Sequence, residues 1–157
     1  MQVKLLISLI VLGMSQTYAK MTEAAWFYRR DRPMIISHRG AFGSYPEHSM
    51  AAYSGAYYGG TDFIELDVQI TKDGYLICQH DTHLDETTDV LYRTDFENKR
   101  RLPDEYGHQF FLQDFTLEEL RQLGRVQKWQ FRSQEMNGLY GILTLQEVID
   151  EVKRFSS

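Results

Sequence analysis

A single cysteine, Cys78, excludes an internal disulfide and with it a cystine-stapled fold or a thiol redox pair. Its apolar neighbours Leu76 and Ile77 mark it as a small buried strand residue. Proline is scarce, three in 157 residues, and neither an internal repeat nor a low-complexity tract divides the chain. Basic blocks are missing as well. The net charge is −5, and the one cluster, Lys99, Arg100 and Arg101, is followed by Asp104 and Glu105, so it reads as a solvated loop. Nucleic acid is thereby excluded as a general partner. No apolar run reaches the about 18 residues of a membrane-spanning helix, so no membrane span is expected. The start of the chain instead has the make-up of a secretory leader. Lys4 is its positive end, residues 5–12 are apolar or serine, and Thr17, Tyr18 and Ala19 offer small residues near a cleavage point. Residues 1–19 are therefore read as a signal peptide, and the protein as secreted or periplasmic.

What remains, residues 20–157, reads as one α/β domain. Residues 34–37 form a buried-strand pattern ending at His38, and Gly40, Gly43 and Pro46 mark a loop. Residues 49–58 carry apolar side chains at helical spacing, and Gly59 with Gly60 stops them. A strand over 62–70, a tight turn at Lys72, Asp73 and Gly74, and a returning strand over 75–79 follow. Residues 81–114 are a long polar stretch without periodicity, the mark of a functional loop or an inserted subdomain. Two helix starts come next, each with a capping box. Thr116 stands three before Glu119, ahead of Leu117, Leu120 and Leu123. Thr144 stands three before Glu147, ahead of Leu145, Val148, Ile149 and Val152. This order suggests a parallel sheet.

The chemistry gathers at the strand ends. Glu65 and Asp67 are two apart on a strand, so both face one way while Ile64, Leu66 and Val68 face the other. Two adjacent carboxylates repel unless a cation lies between them. Hard oxygen donors of this kind suit Ca²⁺ or Mg²⁺; an acidic solvent face is the plainer alternative. His38 ends the first strand, and Arg39 beside it has a planar fork matched to phosphate oxygens. His80 ends a later strand next to Asp81, a carboxylate able to raise its basicity. Cleaving a phosphodiester needs a cation, a base and an acid, and these side chains supply all three. Glu47 is expected to favour the dipole at the start of the first helix, and Tyr53, Tyr57 and Tyr58 to pack. His48, His83 and His108 are read as loop or surface residues.

His38-Arg39-Gly40-Ala41, Pro46-Glu47-His48-Ser49, Ile64-Glu65-Leu66-Asp67-Val68, Thr71-Lys72-Asp73-Gly74 and His80-Asp81 resemble, in order and spacing, the glycerophosphodiester phosphodiesterase family. Thr87-Thr88-Asp89-Val90 and Asp114-Phe115-Thr116 look like its exported, periplasmic branch. The likeness runs from about residue 34 to 152, with Ser49 where threonine is commoner. It implies a TIM-type (β/α) barrel with the site at the C-terminal strand ends. Such barrels usually take roughly 250 residues, so this chain is expected to be the N-terminal portion, without the strand that carries a third glutamate ligand. The resemblance further implies His38 and His80 as acid and base, Glu65 and Asp67 as metal ligands, Arg39 as phosphate ligand, and residues 81–114 as a small insertion shaping the pocket. The implied reaction is metal-dependent hydrolysis of a small glycerophosphodiester to glycerol 3-phosphate and an alcohol. Two other readings stand beside it: a related secreted phospholipase D, and a truncated, non-catalytic homologue.

Overall fold

The computed structural model describes residues 32–156 and, ahead of them, the backbone of residues 4–7. The leader read over 1–19 lies outside the described residues apart from that one piece, strand β1 (Lys4–Ile7).

β2 (Ile36–Ser37) runs parallel to β3 (Phe63–Leu66), with Ile36 opposite Phe63 and Ser37 opposite Ile64. Helix α1 (Met50–Tyr58) makes the crossover between them, as parallel strands require. β1 takes the other edge of β3, also parallel, from Lys4 opposite Phe63 to Ile7 opposite Leu66. Arg32 anchors the start of this unit with two hydrogen bonds of 2.9 Å to the Asp62 carboxylate.

The strand expected over 62–70 is broken at Asp67 into β3 and β4 (Val68–Ile70). The two halves answer to different partners. β3 pairs with β2, whereas β4 pairs antiparallel with β5 (Leu76–Cys78), and the Asp67 carbonyl between them accepts from Gln79 N at 3.1 Å. The first strand is also shorter and wetter than its apolar pattern suggests. Only Ile36 and Ser37 pair, and Ile35 and Ile36, whose side chains point to opposite faces, are 50% and 52% exposed.

α1 starts where Ser49 Oγ accepts from Ala52 N at 3.1 Å, and it buries Ala52, Tyr53 and Ala56. α3 (Leu145–Ser156) begins at the expected capping box: the Glu147 carboxylate accepts from Thr144 N at 2.8 Å, and Thr144 Oγ1 accepts from Glu147 N at 3.2 Å. Its residues Val148 and Val152 pack with Tyr53, Ile64, Leu66 and Cys78 into one cluster. The other capping box, Thr116 with Glu119, also forms, but α2 (Leu117–Leu120) is a single turn. Just beyond it Gly124 runs so close to Gly138 that a Cβ would lie 2.6 Å from the Gly138 Cα.

Residues 81–114 are not structureless. They hold three short 3₁₀ turns, Val90–Tyr92, Thr94–Lys99 and Leu112–Asp114. These wrap a second cluster that includes Leu84, Val90, Phe96, Phe110, Leu112 and Phe115. The basic triplet lies over aromatic rings at the surface of this segment, with Arg100 and Arg101 exposed as a solvated loop would have them. Lys99 lies 5.0 Å over Phe115, Arg100 4.9 Å over Phe110 and Arg101 5.2 Å over Phe111.

Candidate active site

β2 delivers His38 to the end of the sheet, and the chain then turns sharply. Arg39 and Gly40 both have positive φ, 56° and 83°. At Gly40 a Cβ would lie 2.7 Å from the Ala52 carbonyl carbon, so only glycine lets the loop settle on α1. That turn aims the Arg39 N–H at Glu65 Oε2, 2.9 Å away, and His38 Nε2 lies 4.0 Å from the same oxygen. The Arg39 side chain is mostly buried. Its Nη1 donates to both oxygens of Glu47 at 3.1 and 3.0 Å, and its Nε is 3.2 Å from Asp67 Oδ2.

Glu47 is therefore not a helix-dipole residue. It precedes the Ser49 cap, is 3% exposed and serves as the counter-ion of Arg39. His48, expected at the surface, is fully buried. Its Nε2 is 3.2 Å from Asp67 Oδ2 and its Nδ1 is 2.7 Å from the Tyr53 hydroxyl. A carboxylate can only accept, so Nε2 carries the proton and Nδ1 accepts from Tyr53. Burial pushes the His48 imidazole down to about 4, against the opposing pull of Asp67. Burial likewise pushes the Tyr53 hydroxyl well above its ordinary range. Both are neutral at neutral pH, and Tyr53 is a hydrogen-bond relay as well as a packing residue. Asp67, fixed by that relay, is held below the usual carboxylate range, chiefly by the His48 hydrogen bond.

β5 brings His80 to the same edge beside Asp67. Gln69 Nε2 holds the His80 carbonyl at 2.9 Å, and His80 Nδ1 donates to Asp81 Oδ1 at 2.6 Å. That bond fixes the tautomer and leaves Nε2 for a ligand. Burial acts to raise the Asp81 carboxyl, but the bonds from His80 and Lys128 outweigh it and hold the group below its usual range. His38 and His80 are 56% and 46% exposed, so both rings stand at an open rim. All five residues read from the sequence thus gather at one end of the sheet. A separate cleft of about 460 Å³, lined by Tyr75, Leu117 and Thr144, contains none of them.

Comparison with known proteins follows the same outline. Residues 38–156 match the family model described as the glycerophosphoryl diester phosphodiesterase family. The chain belongs to this family. It is 45% identical over 121 residues to a glycerophosphodiester phosphodiesterase, GDPD6, of Arabidopsis thaliana, covering 75% of this chain and 32% of that protein. It is 34% identical over 116 residues to a glycerophosphodiester phosphodiesterase of Caldanaerobacter subterraneus, covering 73% of this chain and 40% of the relative. Among solved structures, it is similar to the glycerophosphodiester phosphodiesterase from Agrobacterium tumefaciens, with a TM-score of 0.60, 25% identity and coverage of 80% of this chain and 45% of that one. An Oleispira antarctica phosphodiesterase in complex with the product sn-glycerol-3-phosphate is similar at a TM-score of 0.56 and 25% identity, covering 78% and 41%. The fold is thus the N-terminal portion of a TIM-type barrel, and the chain spans less than half the length of these relatives.

The family is dependent on a divalent metal, and the donor set here fits a hard cation. Glu65 and Asp67 each spend one oxygen on protein partners, Oε2 and Oδ2. Glu65 Oε1 and Asp67 Oδ1 take no protein hydrogen bond among the described residues, so a bare carboxylate oxygen from each remains for an ion.

Two further contributors escaped the sequence reading. Arg125 is completely buried, and its guanidinium donates to the Cys78 carbonyl and to Gln79 Oε1, the two residues before His80. The segment after it bridges the two halves of the rim. Gln127 Nε2 donates to the carbonyls of Phe42 and Tyr45 at 3.0 and 3.2 Å, while Lys128 Nζ lies 3.1 Å from Asp81 Oδ2. Arg132 covers the Phe42 ring at 4.2 Å, and that ring meets His38 edge-on at 5.4 Å. For His48 a signal existed in the Pro46-Glu47-His48-Ser49 motif. For Arg125 and the bridge none did, because their partners lie 46 and more residues away in sequence.

Proposed function

We propose that this site performs metal-dependent hydrolysis of small glycerophosphodiesters, releasing glycerol 3-phosphate and an alcohol, in glycerophospholipid breakdown. The observation that carries the reading is the wiring of Asp67. It is held by His48 and Arg39 at the strand end where Glu65, His38 and His80 converge. Glu65 and Asp67 would hold the cation, Ca²⁺ or Mg²⁺. When bound, it neutralises charge on the phosphoryl oxygens, a contribution of several kcal/mol. Arg39, with Nη2 left over from its pairing to Glu47, binds the phosphate. His38 takes the proton from the glycerol 2-hydroxyl as it attacks phosphorus. His80, oriented by Asp81, gives a proton to the departing alcohol oxygen. Each transfer is expected to contribute about 10²–10⁴ in rate. Water then opens the cyclic phosphate. The leader-like start of the chain supports action outside the cytoplasm, secreted or periplasmic.

The test supplies glycerophosphocholine with Ca²⁺ or Mg²⁺, measures glycerol 3-phosphate release, and follows product binding by calorimetry. His38→Ala and His80→Ala should each lose about 10² or more in rate with the melting profile kept. Glu65→Gln with Asp67→Asn should abolish metal-dependent product binding. Turnover retained in either histidine variant, or undiminished by a strong chelator, would refute the assignment.

A further inference from the structure

Next to the candidate active site, and joined to it through Asp81, whose Oδ2 lies 3.9 Å from His83 Nε2, the folded insertion brings a different donor set together. His83 and Glu86 lie on the stretch that leaves His80, and His108 lies on the strand-like return. The backbones of these two stretches are pinned. Leu84 N donates to the Phe110 carbonyl and Leu112 N to the Thr82 carbonyl, both at 2.9 Å, and Asp85 accepts from Gln109 N and Phe110 N at 2.8 and 3.1 Å. This frame lays the His83 and His108 rings flat on each other, with centroids 3.4 Å apart and planes 10° apart. One ligating atom each from His83, Glu86 and His108 falls within a mutual 4.8 Å; among the described residues this is the one such set of three or more histidine, cysteine or acidic side chains. His83 Nε2 stands 3.9 Å from Glu86 Oε2.

Within this set His83 Nδ1 is buried and has no hydrogen-bond partner. An imidazole nitrogen taken out of water without a partner costs free energy that coordination of the ring would offset. His108 has its outer support in place, since its Nδ1 is 3.0 Å from Asp104 Oδ2, the carboxylate–imidazole pairing that orients metal-bound histidines. Lys128 Nζ sits 2.6 Å from Glu86 Oε2 and is shared with Asp81. Its ammonium is the cation that an ion at this place would displace from Glu86.

We infer that His83, Glu86 and His108 form a second metal centre, distinct from the carboxylate pair at Glu65 and Asp67, that takes a divalent transition-type ion such as Zn²⁺ and ties the two ends of the insertion together. Two imidazoles and one carboxylate are the donor chemistry of Zn²⁺ rather than of Ca²⁺ or Mg²⁺, with a water in the fourth position. To reach one ion the rings must turn out of the stack about their side-chain torsions, while the pinned backbone stays in place. The inference does not rest on the hydrolase reading.

Co²⁺ titration of the full chain, followed by the visible bands of an imidazole-bound ion, tests it, with Zn²⁺ displacing the signal. A Glu65→Gln, Asp67→Asn background should keep the bands, which separates this centre from the proposed active site. His83→Ala and His108→Ala should each weaken binding by more than about 100-fold, beyond the loss of an outer support, while their metal-free melting stays near that of the parent. Lys128→Met should tighten binding, a change that a merely structural role for these residues does not produce. Zn²⁺ should raise the melting temperature of the parent but not of His108→Ala. Absence of the bands, bands that persist in both histidine variants, or bands lost only with Glu65 and Asp67 would each overturn the inference.

Discussion

The sheet unit and the insertion solve the problem of burial in opposite ways. The unit built from β2, α1, β3 and α3 is regular in backbone but thin in core: Tyr53, Ala56, Ile64, Leu66, Cys78, Val148 and Val152, with Ile35 and Ile36 left half exposed nearby. The insertion has almost no regular backbone, yet it encloses Phe96, Phe110 and Phe115 among seven aliphatic residues and fixes its loops by side-chain bonds to backbone. Adjacent residues of β5 divide between them, since Ile77 belongs to the insertion cluster and Cys78 to the sheet cluster. Regularity and solidity are therefore separate properties. Alternation along a strand sends neighbouring side chains to opposite faces, so one short strand serves two cores.

Emptying the insertion core is the harshest way to break this comparison. Phe110→Ala should cost about 3–5 kcal/mol, and hydrogen exchange should show protection lost in the insertion before β3. Loss that starts in β3 would mean the two clusters are one cooperative unit. The clamp between the halves comes next. Arg125→Ala leaves the Cys78 carbonyl and Gln79 Oε1 buried without their donor and should cost about 3 kcal/mol by denaturant melting. It should also slow hydrolysis through His80, whereas Arg125→Lys should recover part of both.

A pH series sharpens the contrast from the sheet side. The unfolded chain protonates His48 near 6.5, but the folded site resists until about 4. The folded value is the lower one, so stability is full above the unfolded value and falls as pH drops from 6.5 toward 4. The loss is up to roughly 3 kcal/mol. His48→Gln should be less stable at pH 7 but lack this slope in thermal melts from pH 7 to 4; an unchanged slope would remove His48 as its cause. The smallest effect is local. Thr144→Ala removes one half of a capping box and should cost about 1 kcal/mol, read as fraying at the start of α3 while the insertion keeps its protection.

How much was legible follows from the range of the interactions. Helix starts at Ser49, Thr116 and Thr144 depend on contacts three residues away, and all formed as expected. The five candidate residues were readable because they lie at or beside strand ends: parallel β2 and β3 bring His38, Arg39, Glu65 and Asp67 to one edge, and the antiparallel return of β5 brings His80 back to it. The break at Asp67 was not readable, since residues 63–70 have the pattern of one strand and only the competing partners β2 and β5 divide it. Nor was the fate of His48, Glu47 and Arg39, whose burial arises when the turn at Gly40 folds back on α1.

The sequence by itself determined the donor chemistry, the helix starts and the family, because residue type, short-range capping and motif spacing are written in the chain order. Only the tertiary structure decided which histidine is a buried relay and which stand at the rim, that Arg39 is shared between Glu47 and Asp67, and that His83 meets His108. Those outcomes depend on packing between segments tens of residues apart, where burial and the number of available partners, rather than local pattern, set each group's charge and role.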